Sequence, residues 1–208
     1  MKRIFIAASM MMLFVYSFAQ QEVGKVTVQP KLGVNVATIT DATHPTPVAG
    51  AVLGVEIERY MTKWLGISAG AHYSMQGGID KDDVQVGFYG TTYHDVKMEV
   101  RLDYINFPIL AHFYILPELA IKAGVQPGFN VREKYEVTGP GIYKDGHLSD
   151  LGVSVNSFDL AIPMGLSYMS PNGFVVEARY NWGLCHIVNG SDSRNSVFQF
   201  TLGYKFAL

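Results

Sequence analysis

Six histidines, one cysteine and a sparse set of charged residues are the side chains with chemistry to offer. In extended backbone His72-Tyr73-Ser74 sets an imidazole and a hydroxyl on one face, as a base-activated serine nucleophile needs. No glutamate follows until Glu99, so two polar side chains in a structural network is the plainer reading. His44, His72, His94, His112, His147 and His186 are scattered without paired ligand spacing, and no metal site is expected. His94-Asp95 reads as a solvated turn. Cys185 has no partner for an internal disulfide and reads as a small packing residue. No cofactor and no catalytic constellation are expected.

The remaining polar chemistry is charge. Lys31, Glu56, Glu58, Lys122, Asp159, Glu177, Arg179 and Lys205 share one parity in alternating segments. Four cations against four anions suit a packed, self-neutralising interior that serves stability. Arg179 shares a face with Glu177, and a neighbouring strand is expected to bring Asp159 opposite it. A guanidinium can hold two carboxylates by paired hydrogen bonds. Arg179→Ala is therefore expected to cost about 3–5 kcal/mol, and Arg179→Lys less.

The elements that must position these groups are strands. Period-two alternation predicts them at about 27–37, 48–59, 64–75, 102–114, 119–131, 157–168, 173–184 and 196–206. Tight turns at 60–63, 115–118 and 169–172 alternate with longer breaks at 38–47, 76–101, 132–156 and 185–195. One face is apolar throughout, as in Leu32, Leu53, Ile67, Ile109, Val125, Leu166, Val176 and Leu202; the other carries the charges and many glycines, which leave room for the long side chains. Aromatics gather toward the strand ends: Tyr73, Phe129, Phe158, Trp182 and Phe198 on the long-loop side, Phe113, Tyr114, Tyr168, Phe174, Tyr204 and Phe206 on the other. These patterns predict an all-β, eight-stranded antiparallel up-and-down transmembrane barrel with girdles at both headgroup layers. One phase problem stands out. Val96, Met98, Val100 and Leu102 share the parity of the polar Asn106 and His112, so a β-bulge near Tyr104-Ile105 or a strand running above the membrane is expected. Val84 to Phe88 also alternates and is expected to form a protruding hairpin.

The first residues read as an export signal: Lys2 and Arg3, an apolar run from Ile4 to Phe18, and Ser17-Phe18-Ala19 before the cut. This divides the chain into a signal peptide, 1–19, and a barrel domain, 20–208, starting at Gln20. The alternative, a membrane anchor helix, needs a run of about 20 residues, longer than this one. Gln20 is not cysteine, which argues against a lipoprotein. Losing Lys2 and Arg3 takes the formal charge from −2 to −4. A mildly acidic chain without a basic run argues against nucleic acid. No later stretch is apolar enough for a transmembrane helix, so membrane residence requires a closed barrel.

Several segments together resemble the Bacteroidetes outer-membrane β-barrel family that includes the PorT-type proteins. Lys31 to Ala37 looks like its first strand, Tyr73 to Gly78 the end of its third, and Tyr104 to Leu110 its tyrosine-to-proline fourth. Glu177 to Leu184 and Leu202 to Phe206 match its last two, although Ala207 and Leu208 follow the final aromatic. The resemblance implies the barrel fold, the cell outer membrane and handling by the barrel-insertion machinery. It implies no single activity, though some members are tied to protein secretion and gliding.

The leading functional reading is a structural or interaction protein, not an enzyme. Its loops 76–101 and 132–156 would meet a protein partner, with Tyr89, Tyr93, Tyr135, Tyr143 and His147 as contacts. A small porin or transport protein is the alternative; open aqueous channels, however, come with roughly 16–18 strands. A lipid-modifying enzyme is the third reading, because His72-x-Ser74 resembles the His-x-Ser of outer-membrane lipid A deacylases. A lipocalin-like barrel, apolar face inward, is the rival fold.

Overall fold

The computed structural model describes residues 22–40, 45–82, 96–139, 142–188 and 190–208. The export segment 1–19, the start at Gln20, His44, His94-Asp95 and the alternating stretch 84–88 lie outside them. The staves are β1 (Val26–Ile39), β2 (Val48–Tyr60), β3 (Leu65–Asp82), β4 (Val96–Asn106, resuming at Ile109–Tyr114), β5 (Leu119–Gly139), β6 (Phe158–Met169), β7 (Phe174–Gly183) and β8 (Asn195–Tyr204, then Phe206–Ala207). Each pairs antiparallel with the next, and β8 returns to β1 from Lys31 opposite Gly203 to Ile39 opposite Asn195. The eight staves thus form a closed barrel. Closure satisfies the backbone without a free edge, which hydrocarbon demands.

Local chemistry sets the short turns. Between β2 and β3 the Thr62 hydroxyl accepts from the Leu65 N–H at 3.0 Å, and the Met61 N–H donates to the Leu65 carbonyl. Between β6 and β7 the turn closes from the Ser170 N–H to the Phe174 carbonyl, with Gly173 at φ 87°. In β4 Pro108 offers no N–H, and the strand breaks there. Neighbours still close around the gap, with the Phe107 N–H donating to the Pro127 carbonyl and the Gly70 N–H to that of Pro108.

The apolar face points outward. Leu32 is 67% exposed, Val176 57% and Leu53 56%, with similar values around the circumference. In water each such side chain would forgo roughly 1.5–3 kcal/mol of burial. A belt of this size needs lipid, and it reverses the lipocalin-like arrangement. Aromatic rungs mark both rims. Phe129 packs edge-on against Phe107 and Phe158 at 6.2 and 5.7 Å, while Tyr204 meets Phe174 and Phe206 at 5.2 and 4.6 Å. Tyr114, expected in the lower girdle, instead points into the lumen and is 7% exposed, because its parity is that of His112. Trp64 at the turn takes a place in that girdle, stacked on Phe113 at 6.3 Å.

The phase problem resolves without a switch of faces. Leu102, Tyr104 and Asn106 all point inward and are buried. What changes is the content of the interior, from polar at membrane depth to apolar above it. A bulge exists, but on β5: the register slips between Asp103–Arg132 and Tyr104–Asn130, leaving Val131 as the extra residue. Within the expected loops 76–101 and 132–156, residues 76–82, 96–101, 132–139 and 142–146 are strand. β3, β4 and β5 run past the barrel rim as a sheet, flanked by Pro45–Thr46 on β3 and Ile142–Gly146 on β5. Gly77 allows β3 to coil there: its φ is 138°, and a Cβ would sit 2.0 Å from the Val100 carbonyl oxygen.

Candidate functional site

The lumen holds seven of the eight charges singled out above in two clusters. At its middle, β1, β2, β5 and β7 aim Lys31, Glu56, Lys122, Glu177 and Arg179 at one another, all with side chains no more than 1% exposed. Lys31 Nζ is 2.7 Å from Glu56 and 3.4 Å from Glu177. Lys122 pairs directly with Glu177 and lies 3.5 Å from Glu56. Arg179 reaches Glu56 and Glu177, each at 3.5 Å. His72 lies 3.6 Å from Glu56 and 3.4 Å from Arg179. Small residues opposite make this possible. Gly165 stands between Lys122 and Arg179 in the ladder, and a Cβ on Gly70 would lie 2.7 Å from the Glu56 Cγ.

The second cluster closes the short-turn end. Lys205 Nζ is 2.7 Å from Glu58 and sits over the rings of Tyr60 and Tyr114 at 5.6 and 5.8 Å. The Tyr114 hydroxyl donates to Glu58 at 2.6 Å. Here too lies a relay that the sequence reading missed. Ser68 Oγ is 2.8 Å from His112 Nε2, and His112 Nδ1 is 3.2 Å from Glu58. Its members come from three strands, so no local motif announces it. The His72 and Ser74 pair does not form: Ser74 bonds Asn35 and Gln76 instead.

Asp159 is the exception among the eight. It does not face Arg179, which stands opposite Gly165; Asp159 is opposite Gly128, farther along the barrel. It accepts from Asn195 at 3.1 Å and from the Leu160 N–H at 2.9 Å. Asn195 also donates to the Tyr104 hydroxyl at 3.1 Å, linking Asp159 to the layer above.

That layer is a second, apolar core. Leu102, Tyr104, Tyr135, Leu148 and Ile187 are buried together, with Val100, Val137, Val153 and Val155 against them. The short 3-10 turn Leu148–Leu151 and the bridge between Val155 and Val188 lay the loops across the mouth. Of the expected loop contacts, Tyr89 and Tyr93 lie outside the described residues. Tyr135 is 3% exposed inside this cap, because its strand parity points it inward, and is no surface contact. Tyr143 is 67% exposed. His147 is exposed, with its ring Nδ1 3.0 Å from the Glu133 carbonyl oxygen. Cys185 is half-buried in the loop after β7.

On the outer wall of this extension Lys97 and Arg101 flank Glu99 at 3.0 and 2.7 Å. Burial pushes the Glu99 carboxyl up, but these two hydrogen bonds outweigh it and hold the group below the usual glutamate range. Asp103 accepts from the Tyr73 hydroxyl at 2.6 Å and lies 3.7 Å from Arg132.

Among the described residues no helix is long and apolar enough to cross a membrane. The outer membrane protein beta-barrel domain model matches residues 18–189, most of the chain. This chain belongs to that family. Like other outer membrane beta-barrel domains it sits in the bacterial outer membrane, with lipid around its belt. It is similar to neisserial surface protein A at 14% identity and a TM-score of 0.52, covering 87% of this chain and 97% of that one. It is also similar to Ail, the attachment invasion locus protein of Yersinia pestis, in complex with the heparin analogue sucrose octasulfate. There the identity is 13% and the TM-score 0.51, covering 88% of this chain and 99% of that one. No curated protein matches the chain significantly.

Proposed function

We propose that this protein is a closed scaffold that presents a rigid extracellular surface to a protein partner. The observation that carries the reading is the double seal: buried ion pairs at membrane depth and an apolar core across the outer mouth. A lumen filled in this way favours display over passage. Tyr143, Lys144 and Asp145 on the strand Ile142–Gly146, with neighbouring His147, are its exposed contacts. The motifs on β1, β3, β4, β7 and β8 support a finer place in the PorT-type branch and a link to secretion. Ail with its heparin analogue is a precedent for a barrel of this fold binding a ligand. The barrel-insertion machinery would deliver the chain to the membrane, after an export signal ending at Ala19 is removed.

We further infer that it is no enzyme. The Ser68 hydroxyl has a relay behind it, but Ser68 is 1% exposed, and its relay partner Glu58 is held by Lys205 and Tyr114. The test is genetic. Secreted and surface proteins are profiled in a deletion strain and in a strain carrying Tyr143→Ala, Lys144→Ala and Asp145→Ala. The expected result is the same altered profile in both, with the variant barrel still inserted. An unchanged profile in the variant beside a changed one in the deletion would sink the surface-contact reading.

A further inference from the structure

Two cations face each other on the outer wall of the extension. Arg101 on β4 stands directly opposite Lys134 on β5. Like charges so placed repel. The Arg101 side chain is 60% exposed and that of Arg132, one row nearer the membrane, 50%. The local acids relieve Arg101 and Arg132 in part and leave Lys134 without a close carboxylate among the described residues. Glu99 takes the Nε of Arg101 and the Lys97 ammonium, and Asp103 is shared between Tyr73 and Arg132. Among the described residues no carboxylate lies within ion-pair distance of Lys134.

The height of these residues is telling. Ile105 and Phe129 are a cross-strand pair of the lipid-facing belt, 38% and 48% exposed. At about 3.3 Å per residue and a strand tilt of about 35–45°, Arg132 stands roughly 5–8 Å above that row and Arg101 with Lys134 about 10 Å. The polar layer of a bilayer begins at the hydrocarbon edge and is about 5–7 Å deep on each side. Long cationic side chains bend several ångströms toward it. The three cations line one groove of about 310 Å³ on this wall, together with Glu99 and Asp103. Its far rim carries Glu136 and Asp145, opposite each other in the ladder. A phosphate arriving from the membrane meets Arg132, with Asp103 held by Tyr73 beside it, and then Arg101 and Lys134, whereas one arriving from bulk water passes Glu136 and Asp145 first.

We propose that Arg101, Arg132 and Lys134 seat the phosphate groups of outer-leaflet lipid, anchoring the extension sideways to the membrane. Arginine forks and a lysine point charge together suit a phosphate monoester on a sugar headgroup.

The full-length protein in mild detergent is titrated with bisphosphorylated lipid A, with the same lipid lacking its phosphates, and with inorganic phosphate, and bound species are counted by native mass spectrometry. Arg101→Gln with Lys134→Gln is expected to weaken the bisphosphorylated lipid by about tenfold or more while the phosphate-free lipid is unaffected. Inorganic phosphate at millimolar concentration is expected not to compete. Glu136→Gln with Asp145→Asn, which lifts the acidic rim, is expected to let it compete. Equal lipid binding by wild type and the Gln variant, with both barrels folded, overturns the site. Competition by inorganic phosphate in the wild type overturns the lipid as its source.

Discussion

Lys31, Lys122 and Arg179 bring three positive charges against the carboxylates of Glu56 and Glu177 in the middle of the lumen. This revises the expectation for Arg179. Removing it leaves each carboxylate still touching Lys31 and Lys122, so Arg179→Ala should cost less than the roughly 3–5 kcal/mol of an orphaned buried charge. Glu177→Ala leaves three cations around one carboxylate and should cost that full amount. Thermal unfolding of the two variants, followed as loss of the compact heat-modifiable gel band, checks the order. A larger loss for Arg179→Ala would mean that its fork geometry outweighs the charge count. Ser68 is the second residue-scale test. Buried as it is, it should not react with a fluorophosphonate probe, and labelling abolished by Ser68→Ala would reopen the enzymatic reading.

β4 is two elements in one. Below Tyr104 it delivers Asn106 and His112 to a polar lumen; above, the same parity delivers Leu102 and Val100 to an apolar cap. Leu102→Ala should cost about 2–5 kcal/mol, as buried leucine truncations do. The loss should appear as faster protease cleavage within 132–157, with the membrane belt still protected. The extension also carries a pH dependence. The folded pKa of Glu99 lies below its unfolded value, so the pair of bonds from Lys97 and Arg101 contributes stability above about pH 4.3. That contribution fades as pH falls through the lowered folded value. Hydrogen exchange at 96–103, corrected for its intrinsic pH dependence, should rise below pH 4 in the wild type. In Glu99→Gln it should be raised at every pH, without that step.

The whole molecule presents a lipid-facing exterior, a charged plug and an apolar roof in series. Eight strands enclose little more than side chains, and here the clustered charges among them are paired and buried. Purified protein in planar bilayers should therefore give no steady conductance of porin size. Reproducible large open steps would contradict the double seal. Membrane fractionation should place the protein with the outer membrane, and boiling should shift its migration on a gel.

Strand parity is local chemistry, and it was legible in the chain. Val176 and Val34 look outward, Glu177 and Lys31 look inward, because successive side chains must alternate and charge is too costly in lipid. Closure and turn order followed from the same pattern, since an open sheet would strand its edge groups in hydrocarbon. Partnership was not legible. Which strand slides beside which, and by how many residues, decides that Arg179 meets Glu56 rather than Asp159, and that Ser68 from β3, His112 from β4 and Glu58 from β2 line up. Register and shear are set by the closed ring as a whole, and one bulge at Val131 shifts β5 by a residue against β4. The roof was hidden for the same reason. Leu102, Tyr135, Leu148 and Ile187 are far apart in the chain, and only the height of the barrel wall brings them to one level.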